Sequence, residues 1–209
     1  MQKNFHFLNT IPNKTIVLRD NKDITIVGLI TKGWDGIRHL TINAKARGAK
    51  CTCIFFVLGK NNYSYSAKIE AVHQAPNTQI KAHIRAALTD KSSCNIEGVW
   101  IIEKKAPGAE TYFSHHTMLL SEGASAKTAP NLEIKTDDVK AGHAASVGKV
   151  DEDALFYLLS RGLSEQQARV MLVQGFFEIE MAAIDDETIK NNIRAAVITF
   201  LAKTKQSHY

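Results

Sequence analysis

Through the first 150 residues apolar side chains keep falling on every second position, and this constrains the fold more than any other feature. Ile80, Ala82, Ile84, Ala86 and Leu88 alternate with Gln79, Lys81, His83, Arg85 and Ala87. Tyr65, Ala67, Ile69 and Ala71 alternate with Ser64, Ser66, Lys68 and Glu70. A period of two puts one set of side chains on a single face of a strand. Further strand-like runs cover 24–30, 40–44, 51–58, 99–102, 112–120 and 132–134, with turn residues between them at 33–36, 59–62, 75–77 and 106–108. Many short strands read as a sandwich or barrel. Hairpin dipeptides are nearly absent, Asp35-Gly36 being the one candidate, which leans toward a solenoid whose strands are joined by bends. No strict repeat and no sustained hexapeptide pattern appears, so the period leaves sandwich and β-helix both standing.

Near residue 150 the period becomes helical. Asp151, Glu152 and Asp153 place negative charge at the start of a first helix, where the helix dipole favours it. Gly162 suits the position just past its end. Ser164 and Gln167 have the spacing of a capping box for a second helix reaching Met181. Asp185, Asp186 and Glu187 open a third, with Ile189, Ile193, Val197 and Phe200 on one stripe and Lys203 and Lys205 near its end. Two units follow: a β unit over 1–149 and a helical domain over 150–209. The helical part is too small to be very stable unless it packs on something.

Composition narrows the function. With 44% apolar and 22% charged residues among 209, the chain can bury a real core. It has no apolar run of membrane-spanning length and no secretory h-region at its start, so a cytoplasmic protein is expected. The net charge of +5 is scattered, without the stripe that tracks phosphates, and neither nucleic acid nor membrane is an expected partner. Three cysteines are too few for a disulfide framework. Cys51 and Cys53 form a C-x-C pair whose sulfurs share one face of a strand. They are candidate metal or cluster ligands, or else buried thiols. There is no phosphate-binding glycine loop, zinc-protease motif or nucleophile elbow, so any ATP chemistry has to come from a partner.

The segment 137–163, DDVKAGHAASVGKVDEDALFYLLSRGL, follows APNLEIK and FSHHTMLLSEGASAKT. This run resembles the C-terminal signature of the SufB/SufD family, closest to SufD, in which a strand carrying LEI and DDVK leads into LFYL and SRG. The resemblance is dense over 110–181 and fades toward the N-terminus. It implies a mainly β protein, a right-handed parallel β-helix followed by a small C-terminal α-helical domain. It also implies a non-catalytic scaffold for iron–sulfur cluster assembly that holds a transient cluster, pairs through its β-helix with a SufB/SufD-like chain or itself, and works with a SufC-type ABC ATPase. Members of the family also have an N-terminal helical region that this sequence does not show.

His143 matches the histidine of the SufD-type motif, and imidazole suits iron. The alternative is a packed residue, since Val139, Ala141, His143, Ala145 and Val147 share one apolar face. The family often has a cysteine where Ala141 stands. Adjacent His115 and His116 face opposite sides of a strand and cannot simply share a metal. His83 reads as solvated beside Lys81 and Arg85, whereas His73 and Cys94 read as packed. For the ATPase the resemblance points to Phe156, Arg161, Phe176 and Phe177, since both helices carry more apolar residues than one stripe needs. Removing everything after Lys149 is expected to abolish that docking and spare the β-helix. Two further readings stay open: a homodimeric iron–sulfur carrier without an ATPase, and a carbohydrate-active β-helical enzyme using Asp137 and Asp138.

Overall fold

The computed structural model describes residues 4–202. Eleven strands come first: β1 (Asn4–Leu8), β2 (Lys14–Leu18), β3 (Asp23–Ile30), β4 (Arg38–Ala44), β5 (Lys50–Gly59), β6 (Ser64–His73), β7 (Gln79–Leu88), β8 (Ser93–Ile102), β9 (Ala109–Leu119), β10 (Ser125–Ile134) and β11 (Val139–Lys149). Odd-numbered strands form one six-stranded sheet and even-numbered strands a five-stranded sheet, each in chain order. All the pairings are parallel, for example Cys53 beside Ala82, Ala82 beside Phe113 and Phe113 beside His143. The chain therefore winds through one sheet and then the other, about 30 residues per turn. This is the parallel β-helix, and the sandwich alternative falls. The β unit starts earlier than the sequence runs suggest, because β1 and β2 are only five residues each.

Bends take the place of hairpins. Gly48, Asn77 and Gly108 have left-handed φ angles of 73°, 55° and 71°, and their backbone N–H groups donate to Pro76, Pro107 and Asp138 carbonyls on the following turn. These three residues make the same corner on successive turns. At Gly108 a β-carbon would collide with the Asn77 side-chain oxygen, which would have to move aside, so glycine is favoured there by space as well as by φ.

Inward rows from the two sheets meet as one core: Cys51, Cys53, Phe55 and Val57 on β5, and Tyr65, Ala67, Ile69 and Ala71 on β6. The rings of Trp100 and Phe113 lie 4.8 Å apart across it. His73 and Cys94 are buried, as their parity predicts.

Helices α1 (Glu152–Ser160), α2 (Glu165–Met181) and α3 (Glu187–Ala202) follow. Asp151 accepts from the Ala154 N–H at 3.0 Å and caps α1. Gly162, at φ 89°, ends it in a Schellman turn in which Leu163 donates to Leu158 and Gly162 to Leu159. Ser164 and Gln167 make the reciprocal capping box. Asp186 caps α3. Lys203 and Lys205 lie outside the described residues.

The helices sit on the flank of the β-helix. Val27, Ile54, Phe56, Leu58 and Ala87 point outward from β3, β5 and β7, yet are buried with Phe177, Ile193 and Val197 in a second apolar cluster. Strand β5 is apolar on both faces for this reason. Removing everything after Lys149 would bare that flank, an exposed apolar face that counts against the expected survival of the truncated β-helix.

Candidate functional site

The last turn of the solenoid is built like the others but lacks a neighbour. On β9 the inward residues Thr111, Phe113, His115 and Thr117 are at most 3% exposed. Their register partners on β11, Ala141, His143, Ala145 and Val147, are all exposed. On β10 the inward Leu132 and Ile134 are exposed as well, although their partners Trp100 and Ile102 on β8 are buried. One end of the core is thus open to solvent, and His143 stands in that opening. Val147, Leu132 and Ile134 escape a sequence reading because their alternation is that of core residues. Their exposure comes from the described stack ending at β10 and β11.

The cysteines are elsewhere. Cys51 and Cys53 are wholly buried, with their sulfurs 4.0 Å apart. The neighbouring Cys51 thiol and burial together push the Cys53 thiol up, which disfavours the thiolate that binds metal. Cys53 shares a register column with His143, but Ala82 and Phe113 stand between them. The structure does not bring these three candidates together. Among the described residues no three His, Cys, Asp or Glu side chains form a metal-binding group. Asp137 and Asp138 lie in the bend between β10 and β11, both exposed.

Inside the solenoid, Cys94 Sγ lies 3.8 Å from His115 Nε2, and burial pushes that thiol up to about 12. His115 also bonds with Thr117 and Thr128. Burial, and secondarily His116, lowers His115 to about 4; burial lowers His73 to about 4. These depressed values mean the folded state holds both rings neutral. Their contribution is whole above 6.5 and is lost as pH falls toward 4. Stability should fall by up to about 3 kcal/mol per histidine across that window. Urea unfolding at pH 7 and pH 4.5 measures this; His73→Gln and His115→Gln should each flatten the dependence, and equal wild-type stability at both pH values would refute it.

On the helices the four candidate docking residues divide. Phe156 is 72% exposed, next to exposed Tyr157 and Leu159, and the Arg161 guanidinium lies 5.1 Å over the Tyr157 ring. Phe176 is half-buried under Arg85. Phe177 is fully buried against Phe56, ring centres 5.2 Å apart, and is not presented to a partner. The apolar surface left bare on α1 is therefore carried by Phe156, Tyr157 and Leu159.

His83 differs from expectation. It is covered by α2, its side chain 20% exposed and 3.4 Å from Glu180. His115 and His116 do face opposite sides: His115 lies in the core, and His116 bonds Ser146 on the outer face.

The description of the SufBD core domain of the SUF system for FeS cluster assembly matches residues 2–176. The iron–sulfur cluster assembly protein SufD of Bacillus subtilis is 30% identical over 181 residues, 86% of this chain and 41% of that protein. SufB of the same organism is 31% identical over 134 residues, 64% of this chain and 29% of that protein. An iron–sulfur cluster assembly SufBD family protein of Mycobacterium leprae is 40% identical over 104 residues, 47% of this chain and 26% of its own length. The similarity spans less than half the length of each of these relatives.

Proposed function

The chain belongs to the SufBD core family of iron–sulfur cluster assembly proteins, and from that premise we propose that it is a non-catalytic scaffold subunit whose cargo is a nascent iron–sulfur cluster. The observation that carries this reading is the open last turn, where His143 stands exposed among the inward-facing Ala141, Ala145 and Val147. One imidazole does not hold a cluster, which takes several thiolate or imidazole ligands. The others are supplied by the chain that closes the opening, either a second copy or a SufB/SufD-like partner. Closing it would also bury Leu132, Ile134 and Val147, now exposed, and such a patch marks an interaction surface. Cys51 and Cys53 remain possible ligands only after the core opens, because both are wholly buried.

A SufC-type ATPase is proposed to dock on α1, with Phe156 as the apolar anchor and Arg161 as the polar one. No described helix is long and apolar enough to cross a membrane; the cytoplasm is the proposed site of action.

Replacing His143 with alanine trims an exposed side chain and should change stability by no more than about 0.5 kcal/mol. Iron and sulfide bound after anaerobic reconstitution, with and without the ATPase, are expected to drop severalfold in the variant. Full iron content in a folded His143→Ala protein would remove His143 from the site. Reconstitution equally efficient without any ATPase would replace the scaffold reading with that of a self-sufficient homodimeric carrier.

A further inference from the structure

The outer face of the odd-numbered sheet changes chemistry along the stack. One register row reads Val27, Ile54, His83, Ser114, Ala144 from β3 to β11, and the next reads Leu29, Phe56, Arg85, His116, Ser146. The helices cover the apolar part and reach β7, where α2 sets a carboxylate against the first polar residues. Glu180 Oε1 accepts from Arg85 Nε at 3.3 Å and Nη2 at 3.2 Å. Its Oε2 lies 3.4 Å from His83 Nδ1, which is also 2.9 Å from Ser114 Oγ. The Arg85 and Glu180 side chains are only 10% and 13% exposed, and the guanidinium lies 4.7 Å over the Phe176 ring. Beyond them His116 bonds Ser146 on β11 at 2.7 Å.

We propose that Glu180, Arg85, His83 and His116 form a proton-operated latch, which holds the helical unit on the flank while both histidines are neutral and releases it when they take up protons. A buried carboxylate compensates one cation well, and Arg85 already fills that role. Charge on His83 would face Lys81 and Arg85 on its own strand, His116 on β9 and, from α2, the Glu180 carboxylate alone. The uncharged Tyr112 ring stacks 5.8 Å away, and β5 offers only Ile54 in register. The surplus positive charge is relieved when α2 lifts and water enters.

The direction of titration agrees. Burial lowers His83, with Lys81, Arg85 and His116 adding to it and Glu180 only partly opposing. Burial and then Arg85 lower His116, again with Glu180 opposing. For a histidine depressed by docking, the docked state is fully favoured above 6.5 and loses ground as pH falls through the depressed value.

The test is hydrogen exchange of the full chain at pH 7.5 and pH 5.5, corrected for intrinsic rates, with β4 and β6 as internal references. Amides of α2 and α3 are expected to exchange at least about tenfold faster relative to the references at the lower pH, the factor one unit of coupled shift supplies. In a His83→Gln, His116→Gln double variant that ratio should stay constant. An unchanged ratio in the wild type, or a ratio that still shifts in the double variant, overturns the latch. Should the double variant not fold, the wild-type imidazole resonances decide. Titration of both rings below 6.5, with α2 shifts at the same midpoint, supports the proposal, and any other pattern overturns it. No iron or partner is used, so failure here leaves the scaffold reading untouched.

Discussion

Phe177→Ala is expected to destabilise the protein by about 3–5 kcal/mol, the range for deleting a fully buried phenylalanine side chain. The ring is 0% exposed and packs on Phe56 of β5, so its removal leaves a cavity at the centre of the junction between helices and solenoid. It also removes a neighbour from Phe176, whose ring is 5.8 Å away and supports Arg85. Urea unfolding followed by circular dichroism measures the loss. Phe156→Ala is the matched control: 72% exposed, it should change stability by no more than about 0.5 kcal/mol and yet weaken binding of a SufC-type ATPase. A loss below about 1 kcal/mol for Phe177→Ala would mean that the junction is looser than its packing indicates. Truncation cannot replace this pair of substitutions, because it would bare Val27, Ile54, Phe56 and Leu58 together.

How far the sequence could be read depends on what covers each face. Where one face meets the core and the other is left partly open, as in Tyr65, Ala67 and Ile69 against Ser64, Ser66 and Lys68, the period of two declares both faces, and the assignment of strands follows. The capping signals at Asp151, Ser164 and Gly162 act within a few residues, so the helix boundaries near them were legible too. The parallel pairing was not, because bends and hairpins differ in geometry more than in composition. The resemblance over 137–163 supplied what periodicity left open. His83 reads as solvated in the sequence because its cover, Glu180, which also holds Arg85 from 95 residues further along the chain, belongs to no local pattern. Phe176 and Phe177 look equivalent in sequence, but their adjacent positions on α2 turn one toward Phe56 and the other toward Arg85. His143 shows the same limit from the opposite side: its parity marks it as inward-facing, and only the end of the stack makes it exposed.

Introducing charge at the open turn, through Leu132→Glu together with Val147→Glu, is expected to abolish pairing while leaving each chain folded. Both side chains are already exposed, at 37% and 45%, so the single chain should tolerate the change at a cost of no more than about 0.5 kcal/mol per site. In a closed pair they would be buried, and an uncompensated buried charge costs about 3–5 kcal/mol, roughly two to nearly four orders of magnitude in dissociation constant. The two edges are unequal. Pro130 sits within β10 opposite Gly98, and a strand interrupted by proline cannot donate along its whole free edge. Strand β11 has no proline and carries Ala141, Gly142, Ala144, Ala145 and Ser146 in its middle, small side chains that let another strand approach closely. Pairing is therefore expected to run along β11, with Leu132 and Ile134 of β10 packed behind it. That arrangement would place His143 at the joint, next to residues of the closing chain. Sedimentation velocity at micromolar concentration, alone and with a SufB/SufD-like chain, reads the outcome. A wild-type protein that stays monomeric under both conditions would reject the pairing surface, and so would a double variant that pairs with undiminished affinity.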